Sequence, residues 1–594
     1  MKLELQREAA GFQGARRWVA TERAALSDED SSVHPRTPYV FGVPDSPPRA
    51  CQHEEGLIDL PHSGSPMGTA YTHHADCGHS RQRRSIRSLA SGLGWTPLRH
   101  VSPRSNDAAT TTRSFKWHSP TLFRRTPRPT HPAATLGSLL RISINARLRL
   151  GLVLVCTIAS AAASPEALRG LVADRVEAEY ASLEAIYRNL HAHPELSFME
   201  QNTAALVAQE LRSLGFEVTE KVGKTGVVGV LKNGPGSTVL VRADMDGLPV
   251  KETSGVPYAS TDVVKDQSGK DQPAMHACGH DTHVTGLIGT ARTLVALRDH
   301  WSGTLLLIAQ PAEEIGAGAR AMLADGLYSR FPKPDQAIAL HVTSMLPAGV
   351  IGYGEGPFLA GVSSVDILVR GVGGHGSAPH TTKDPIVLAS QIVLALQTIV
   401  SRELKPGTPA VVTVGTIHGG LKRNIISDEV RLELTLRSFD DAVMAQLVSS
   451  VRRICAGIAQ AAGVPDDRMP VVTLTPESIP VTNNDPALTR RLTANFIEWF
   501  GTNRVRLQAP ITGGEDFSEF GRTLDRVPIC MWWVGGTDPA KIAESERTGV
   551  PVPSNHSATF APVPAPSLRT CVTSMSAAVL NLLGSMQDGK RETR

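Results

Sequence analysis

Three apolar stretches of strand length, at 238–241, 304–309 and 337–340, each run straight into side chains that can hold a cation or carry a proton. The first leads to Asp244 and Asp246, the second to Glu313 and Glu314, the third to His341. Helical patterns at 166–190, 202–214 and 282–297 alternate with these stretches and with a further apolar run at 227–231. Apolar strands alternating with helices predict an α/β fold, a sheet covered by helices on both faces. In such a sheet the carboxyl ends of the strands line one ligand crevice, so groups far apart in sequence converge there.

The densest chemistry is Met-His-Ala-Cys-Gly-His-Asp-Thr-His at 275–283, just before the third helical pattern. Cys278 and His280 flank Gly279, so both side chains can address one ion without a bulky neighbour between them. A thiolate beside an imidazole at a helix N-terminus also fits a catalytic Cys/His pair or a reactive thiol. Adjacent carboxylates in a turn point different ways, so one of Glu313 and Glu314 can bind metal while the other faces substrate. Taken alone the pair would be a solvated loop, but it follows an apolar strand and precedes the glycine-rich 315–318. By itself His341 reads as a core histidine, and His556, in Ser554-Asn555-His556-Ser557, as an exposed loop residue.

A second unit has a strand at 365–369, a helix at 384–402, strands at 410–417 and 429–436, a helix at 442–462 and a strand at 471–474. The order β-α-β-β-α-β is the ferredoxin-like arrangement. Strand and helix patterns of the first kind resume from 486 to 583. The expected organisation is therefore a catalytic domain in two parts, 164–360 and 479–585, split by an inserted domain at 361–478 and followed by a polar tail at 586–594.

A chain of 594 residues is too long for one simple core. Its seven cysteines lack framework spacing, which argues against a disulfide scaffold. The net charge of +3 is composite: residues 1–149 carry 21 Lys and Arg against 12 Asp and Glu, the remainder 39 against 45. Neither part has the basic stripe of a nucleic-acid binder. Residues 1–139 show no sustained period and predict a disordered extension, or a start assigned upstream of the true one near 140. Basic residues, an apolar run at 150–162 and small residues at 161–163 then read as a secretory signal peptide at 140–163, which implies a secreted or periplasmic protein. The apolar run is too short for a stable membrane span.

Seven motifs in fixed order carry a resemblance across some 400 residues: His191-Ala192-His193-Pro194-Glu195, the stretch 242–249, the stretch 275–283, the stretch 310–314, Gly374-His375-Gly376-Ser377-Ala378-Pro379-His380, Asn424-Ile425-Ile426 and Gly513-Gly514-Glu515-Asp516-Phe517. The chain resembles the dinuclear metallohydrolases that include aminoacylases and glutamate carboxypeptidases, and within them the amidohydrolase branch of hippurate and auxin-conjugate hydrolases. The resemblance implies a zinc-exopeptidase-like sheet with a ferredoxin-like lid and dimerisation domain. It implies two divalent ions, zinc or manganese with cobalt or nickel as further options, held by Cys278, His280, Glu314, His341 and His556. Glu313 would be the general base and Asp246 would orient a ligand imidazole. In this branch Asp244 stands where other relatives carry a ligand histidine, so it is not included among the ligands. His375 would polarise the scissile carbonyl, often from across a dimer interface, while Asn424 and Arg437 would hold the amino-acid end of the substrate.

The expected function is hydrolysis of N-acyl amino acids or similar amide conjugates by a homodimer. One alternative is a metallo-exopeptidase acting on short peptides. Another is a non-catalytic, metal-stabilised binding protein, against which the presence of Glu313 argues. A thiol redox enzyme is disfavoured because no second cysteine lies near Cys278.

Overall fold

The computed structural model describes residues 164–584. The expected extension at 1–139, the signal peptide at 140–163 and the polar tail at 586–594 lie outside the described residues.

Eight strands form one mixed sheet in the order Glu217–Val222, Gly226–Asn233, Gly303–Gln310, Thr238–Asp244, Gln336–Pro347, Ile529–Thr537, Ile351–Tyr353 and Val505–Leu507. Strict alternation divides its side chains between two cores: Val239, Val241, Leu305 and Leu307 enter one, and Leu240, Leu306 and Ile308 the other. The helices Pro165–Ala192, Gln201–Ser213, His280–Ala296, Pro486–Phe500 and Pro564–Leu583 cover the first face. Two short helices, Gly318–Ala324 and Leu327–Arg330, and the turn Asp516–Gly521 cover the second. Each aliphatic side chain sealed between these layers contributes about 1.5–3 kcal/mol. The predicted α/β fold with both faces covered is what forms.

Four central strands, 303–310, 238–244, 336–347 and 529–537, run parallel, so their carboxyl ends open on one side. The sequence reading ended the third of these at 340, whereas the strand continues to Pro347. The physical reason is its neighbour at 529–537, which goes on pairing Trp533 with His341 and Gly535 with Thr343. On the opposite side, pairing with 238–244 stops at Arg242 and Ala339. His341 therefore lies inside a strand, at the point where the ladder loses one of its two partners and a crevice opens.

Between the two parts of this sheet the chain forms a four-stranded antiparallel sheet, ordered Ala410–Gly419, Glu429–Ser438, Gly361–Arg370 and Val471–Leu474. The helices Pro385–Thr398 and Asp441–Ala461 pack on it through Leu388, Ile392, Leu396, Leu447 and Val451. With its π-helical extension to Glu403 the first helix, like the second, is long and apolar enough by composition to cross a membrane. Here the apolar faces of both meet the sheet.

One buried cation joins the segments on either side of this unit. Arg242 is 1% exposed and donates to Asp244 (2.6 Å), Gln310 (3.0 Å), Glu515 (2.7 Å) and Asp516 (3.2 Å). Burial alone would weaken its charge, but the three surrounding carboxylates hold the guanidinium firmly protonated. Removing one partner of such a network strands the others in low dielectric, at about 3–5 kcal/mol. Arg242→Met should lower unfolding free energy by that amount in urea titrations; a loss under about 1 kcal/mol would show that the carboxylates find other partners.

Candidate metal and catalytic site

The helix His280–Ala296 begins at the crevice because Gly279 permits it. Gly279 sits at φ +87, and a Cβ there would come within 2.3 Å of Val342 Cγ1. A left-handed cap this close to the neighbouring strand admits glycine alone. Cys278 and His280 are thereby delivered, both buried, beside His341.

Hydrogen bonds fix which ring nitrogens face the opening. His280 Nδ1 donates to the main-chain oxygen of Asp246 (2.8 Å), and His341 Nδ1 donates to that of Val342 (2.7 Å). Both Nε2 atoms are left pointing inward. His341 Nε2 is 3.4 Å from Cys278 Sγ, His280 Nε2 is 3.8 Å from Glu314, and His556 Nε2 is 3.4 Å from the other Glu314 oxygen. The structure thus gathers all five expected ligands, Cys278, His280, Glu314, His341 and His556, at one place.

Their chemistry fits divalent metal. Among the described residues, His280 Nε2 and Glu314 Oε1 are buried without a hydrogen-bond partner, which is costly unless something else satisfies them. Burial, reinforced by Asp246 and Asp244 and opposed by His280, pushes the Glu314 carboxyl up to about 8. Burial, with Glu515 and Glu314 close by, drives Glu313 well above the carboxylate range, and burial likewise raises the Cys278 thiol. A cation among these groups would invert that balance and hold them ionised. Sulfur, imidazole and carboxylate donors suit zinc and tolerate manganese, cobalt or nickel.

A neighbouring group of possible donors, Asp244, His280, His283 and His341, is less suited. His283 uses both ring nitrogens, one toward Asp244 (2.5 Å) and one accepting the Val342 N–H (2.8 Å). Asp244 also accepts from Arg242. Its carboxylate is therefore already engaged by Arg242 and His283.

Asp246 does more than orient an imidazole. Its main-chain oxygen holds His280, while its carboxylate accepts the backbone N–H groups of Glu313 and Glu314 (3.0 Å each) and the Ser197 hydroxyl (2.6 Å). It therefore positions the acidic pair from behind. Glu313, 7% exposed, shares a cleft of about 380 Å³ with Cys278, Glu314, His341, His556 and Arg437. A second lobe of about 550 Å³ lies across Arg437 and His556 and is lined by Met345, Ile511 and Trp533. Arg437 is bonded to the Thr512 carbonyl (3.1 Å) and forms no ion pair among the described residues. A surface ion pair is thus not its role, and its charge is available to an anion in the cleft.

His375 and Asn424 are not brought to this cluster. They lie exposed where the short strands Gly374–His375 and Ile425–Ile426 pair, and His375 Nδ1 is engaged with Ser377 (2.6 Å). Within one chain they line neither lobe.

Three residues of importance escaped sequence reasoning. Asn555 bonds the carbonyls of Cys278 and Val342 (3.1 Å each) and accepts from Ser344 (2.9 Å), fastening the His556 loop over the site. The buried carboxylate of Glu200 accepts the N–H groups of Phe198 and Ala312 (2.8 Å each), both left-handed non-glycine residues, and so holds the turn that presents Glu313. Ser197 supports Asp246. Glu200 and Ser197 lie just past the 191–195 motif, but nothing in their spacing signals these contacts. For Asn555 the one hint was its neighbour His556.

Comparison with known proteins places this geometry in a family. The model of peptidase family M20/M25/M40 matches residues 240–552. A thermostable carboxypeptidase of Saccharolobus solfataricus is 40% identical over 63% of this chain and 89% of its own length. A hippurate hydrolase of Campylobacter jejuni is 42% identical over 47% of this chain and 70% of its own. The crystal structure of a dinuclear metal-binding M20 peptidase from Bacillus subtilis superposes with a TM-score of 0.55 at 28% identity, covering 69% of this chain and all of that one. With more than half its length matched by the family model, and a relative matched over nearly its whole length, this chain belongs to peptidase family M20/M25/M40.

Proposed function

We propose that this chain is a secreted or periplasmic amidohydrolase that cleaves the amide bond of N-acyl amino acids or related conjugates. It is a hydrolase of C–N bonds, in keeping with relatives named hippurate hydrolase and carboxypeptidase. The observation that carries the reading is the convergence of five candidate metal donors, four of them lining a cleft that also holds the buried acid Glu313, and the atoms of His280 and Glu314 left unpartnered among the described residues.

Two divalent ions held by Cys278, His280, Glu314, His341 and His556 would lower the pKa of a water and polarise the scissile carbonyl. Glu313 accepts the proton of the attacking water at a carboxylate oxygen and passes it to the departing amine. Asp246 and Glu200 keep that carboxylate aimed by holding the backbone on either side of it. Arg437 binds the carboxylate of the amino-acid half, which suits a planar guanidinium.

His375 and Asn424 would act from a second copy of the chain, His375 on the carbonyl oxygen and Asn424 on the amino-acid end. Support for a homodimer comes from the inserted unit, whose edge strand Ala410–Gly419 and neighbouring segments expose Ile417 (53%), Leu421 (82%) and Leu394 (72%). Secretion is supported by the basic, apolar and small-residue order at 140–163. A metallo-exopeptidase is the second reading. It is favoured by the carboxypeptidase relative and by Arg437, which would serve the C-terminus of a peptide equally well.

Kinetics on a panel of N-acyl amino acids and dipeptides, after loading with zinc, manganese, cobalt or nickel, separates the two. N-acyl substrates should give the higher kcat/KM, and a preference for dipeptides would select the exopeptidase. Glu313→Gln should keep two metals per chain and lose about 10²- to 10⁴-fold in kcat; near-normal turnover would remove Glu313 from the mechanism. Cys278→Ala should lower metal content measured by atomic emission, whereas a cysteine acting as nucleophile would leave it unchanged.

A further inference from the structure

The segment between the 242–249 and 275–283 motifs has no part in the chemistry described so far, yet it is built with care. Two short strands, Val263–Lys265 and Asp271–Pro273, pair as a hairpin. Its five-residue tip is organised by Asp266, whose carboxylate accepts the N–H groups of Ser268 (2.9 Å) and Lys270 (3.0 Å) and the Gln272 amide (3.2 Å). Those bonds, the Ser268 hydroxyl first among them, pull the Asp266 carboxyl down to about 2. The hairpin is thus ordered by its own contacts.

It is also fastened at both ends to the segment beneath it. At the base, Asp262 meets His193 Nδ1 at 2.9 Å. At the tip, Gln267 donates to the Ser197 carbonyl at 3.0 Å. The Ser197 hydroxyl donates in turn to Asp246, whose carboxylate holds the backbone of Glu313 and Glu314. A continuous hydrogen-bonded path runs from the tip to the general base.

Between the hairpin and the loops at 196–197, 247–249 and 314–315 lies a cavity of about 530 Å³. Leu196, Leu248, Pro249 and Ile315 give it an apolar floor, and Gln267 and Ser268 form its outer wall. Glu314 and Ile315 line both this cavity and the cleft that contains Arg437, so the two spaces meet at the ligand Glu314. Ile315 is 41% exposed, an apolar surface left open among the described residues.

From this arrangement we infer that the 263–273 hairpin walls the acyl subsite of the enzyme, and that the subsite takes an apolar acyl group with an aromatic or branched body. The inference rests on the N-acyl amino acid reading above and deepens it. With the amino-acid carboxylate held at Arg437 and the amide at the metal ligands, the acyl group projects past Glu314, where this cavity begins. A space of this size, floored by four apolar side chains, is far larger than an acetyl group fills and lies within the range of small-molecule sites. Water excluded from the floor favours the larger acyl group.

The test measures kcat/KM of the metal-loaded, full-length enzyme on the N-acetyl, N-hexanoyl and N-benzoyl derivatives of one amino acid. Wild type should prefer benzoyl over acetyl by more than tenfold. Ser268→Trp, which fills the wall, should lower the benzoyl value at least tenfold and the acetyl value less than twofold. Replacing residues 264–272 by Asn-Gly should bring the benzoyl-to-acetyl ratio to within threefold, with metal content unchanged. If the variants alter all acyl groups equally, or alter selectivity for the amino-acid half, the hairpin is not the acyl wall, and the hydrolase reading survives. If wild type hydrolyses none of the three while cleaving dipeptides, the parent reading fails and the inference with it.

Discussion

The buried guanidinium of Arg242 is the constraint on which the catalytic unit depends. It stands on a central strand and binds Glu515 and Asp516, more than 270 residues further along the chain. Two acids cannot be buried side by side without a counter-charge, and burial still pushes Asp516 up to about 7 with Arg242 beside it. Asp516 in turn accepts from Gln310 (2.6 Å) and the Ala319 N–H (3.0 Å). The same guanidinium thus aligns the strand leading to Asp246, the strand leading to Glu313 and the turn that returns from the inserted unit. Polar satisfaction rather than apolar area sets the register of these parts, since apolar packing is not directional.

A second layer of contacts converts that alignment into a reactive geometry. Gly279 lets the ligand helix start against Val342, Asn555 draws a surface loop onto the Cys278 carbonyl, and Glu200 holds two left-handed turns in place. None of these groups carries out chemistry. Each restricts where a donor can point, and preorganised donors are what a metal site and a general base require. The arrangement accounts for a cluster in which, among the described residues, His280 and Glu314 present unpartnered atoms to one space while His280 Nδ1 and the Glu314 backbone N–H are held by Asp246.

Much of the architecture was legible in the sequence because it rests on local periodicity. Alternating strands, helices stopped by glycine and the β-α-β-β-α-β order of 361–474 are all recorded by spacing of two or three to four residues. The reading faltered where pairing is non-local: the strand through His341 runs on to Pro347 because a partner almost 200 residues away extends it. The same limit explains Glu200 and Asn555, ordinary polar residues whose importance lies wholly in what they meet.

The sequence by itself determined the fold class, because periodicity and strand ends are local properties, while the set of candidate metal donors and the role of the acid Glu313 were implied by the family resemblance that its motifs carry. Tertiary structure alone decided the rest. It showed that His283 and Asp244 are already committed to other bonds, that Arg437 lines the cleft with no ion-pair partner among the described residues, and that His375 and Asn424 stay outside it in a single chain. Such distinctions depend on which hydrogen-bonding valences remain free once the chain is closed, and a free valence is a property of the assembled neighbourhood rather than of the residue.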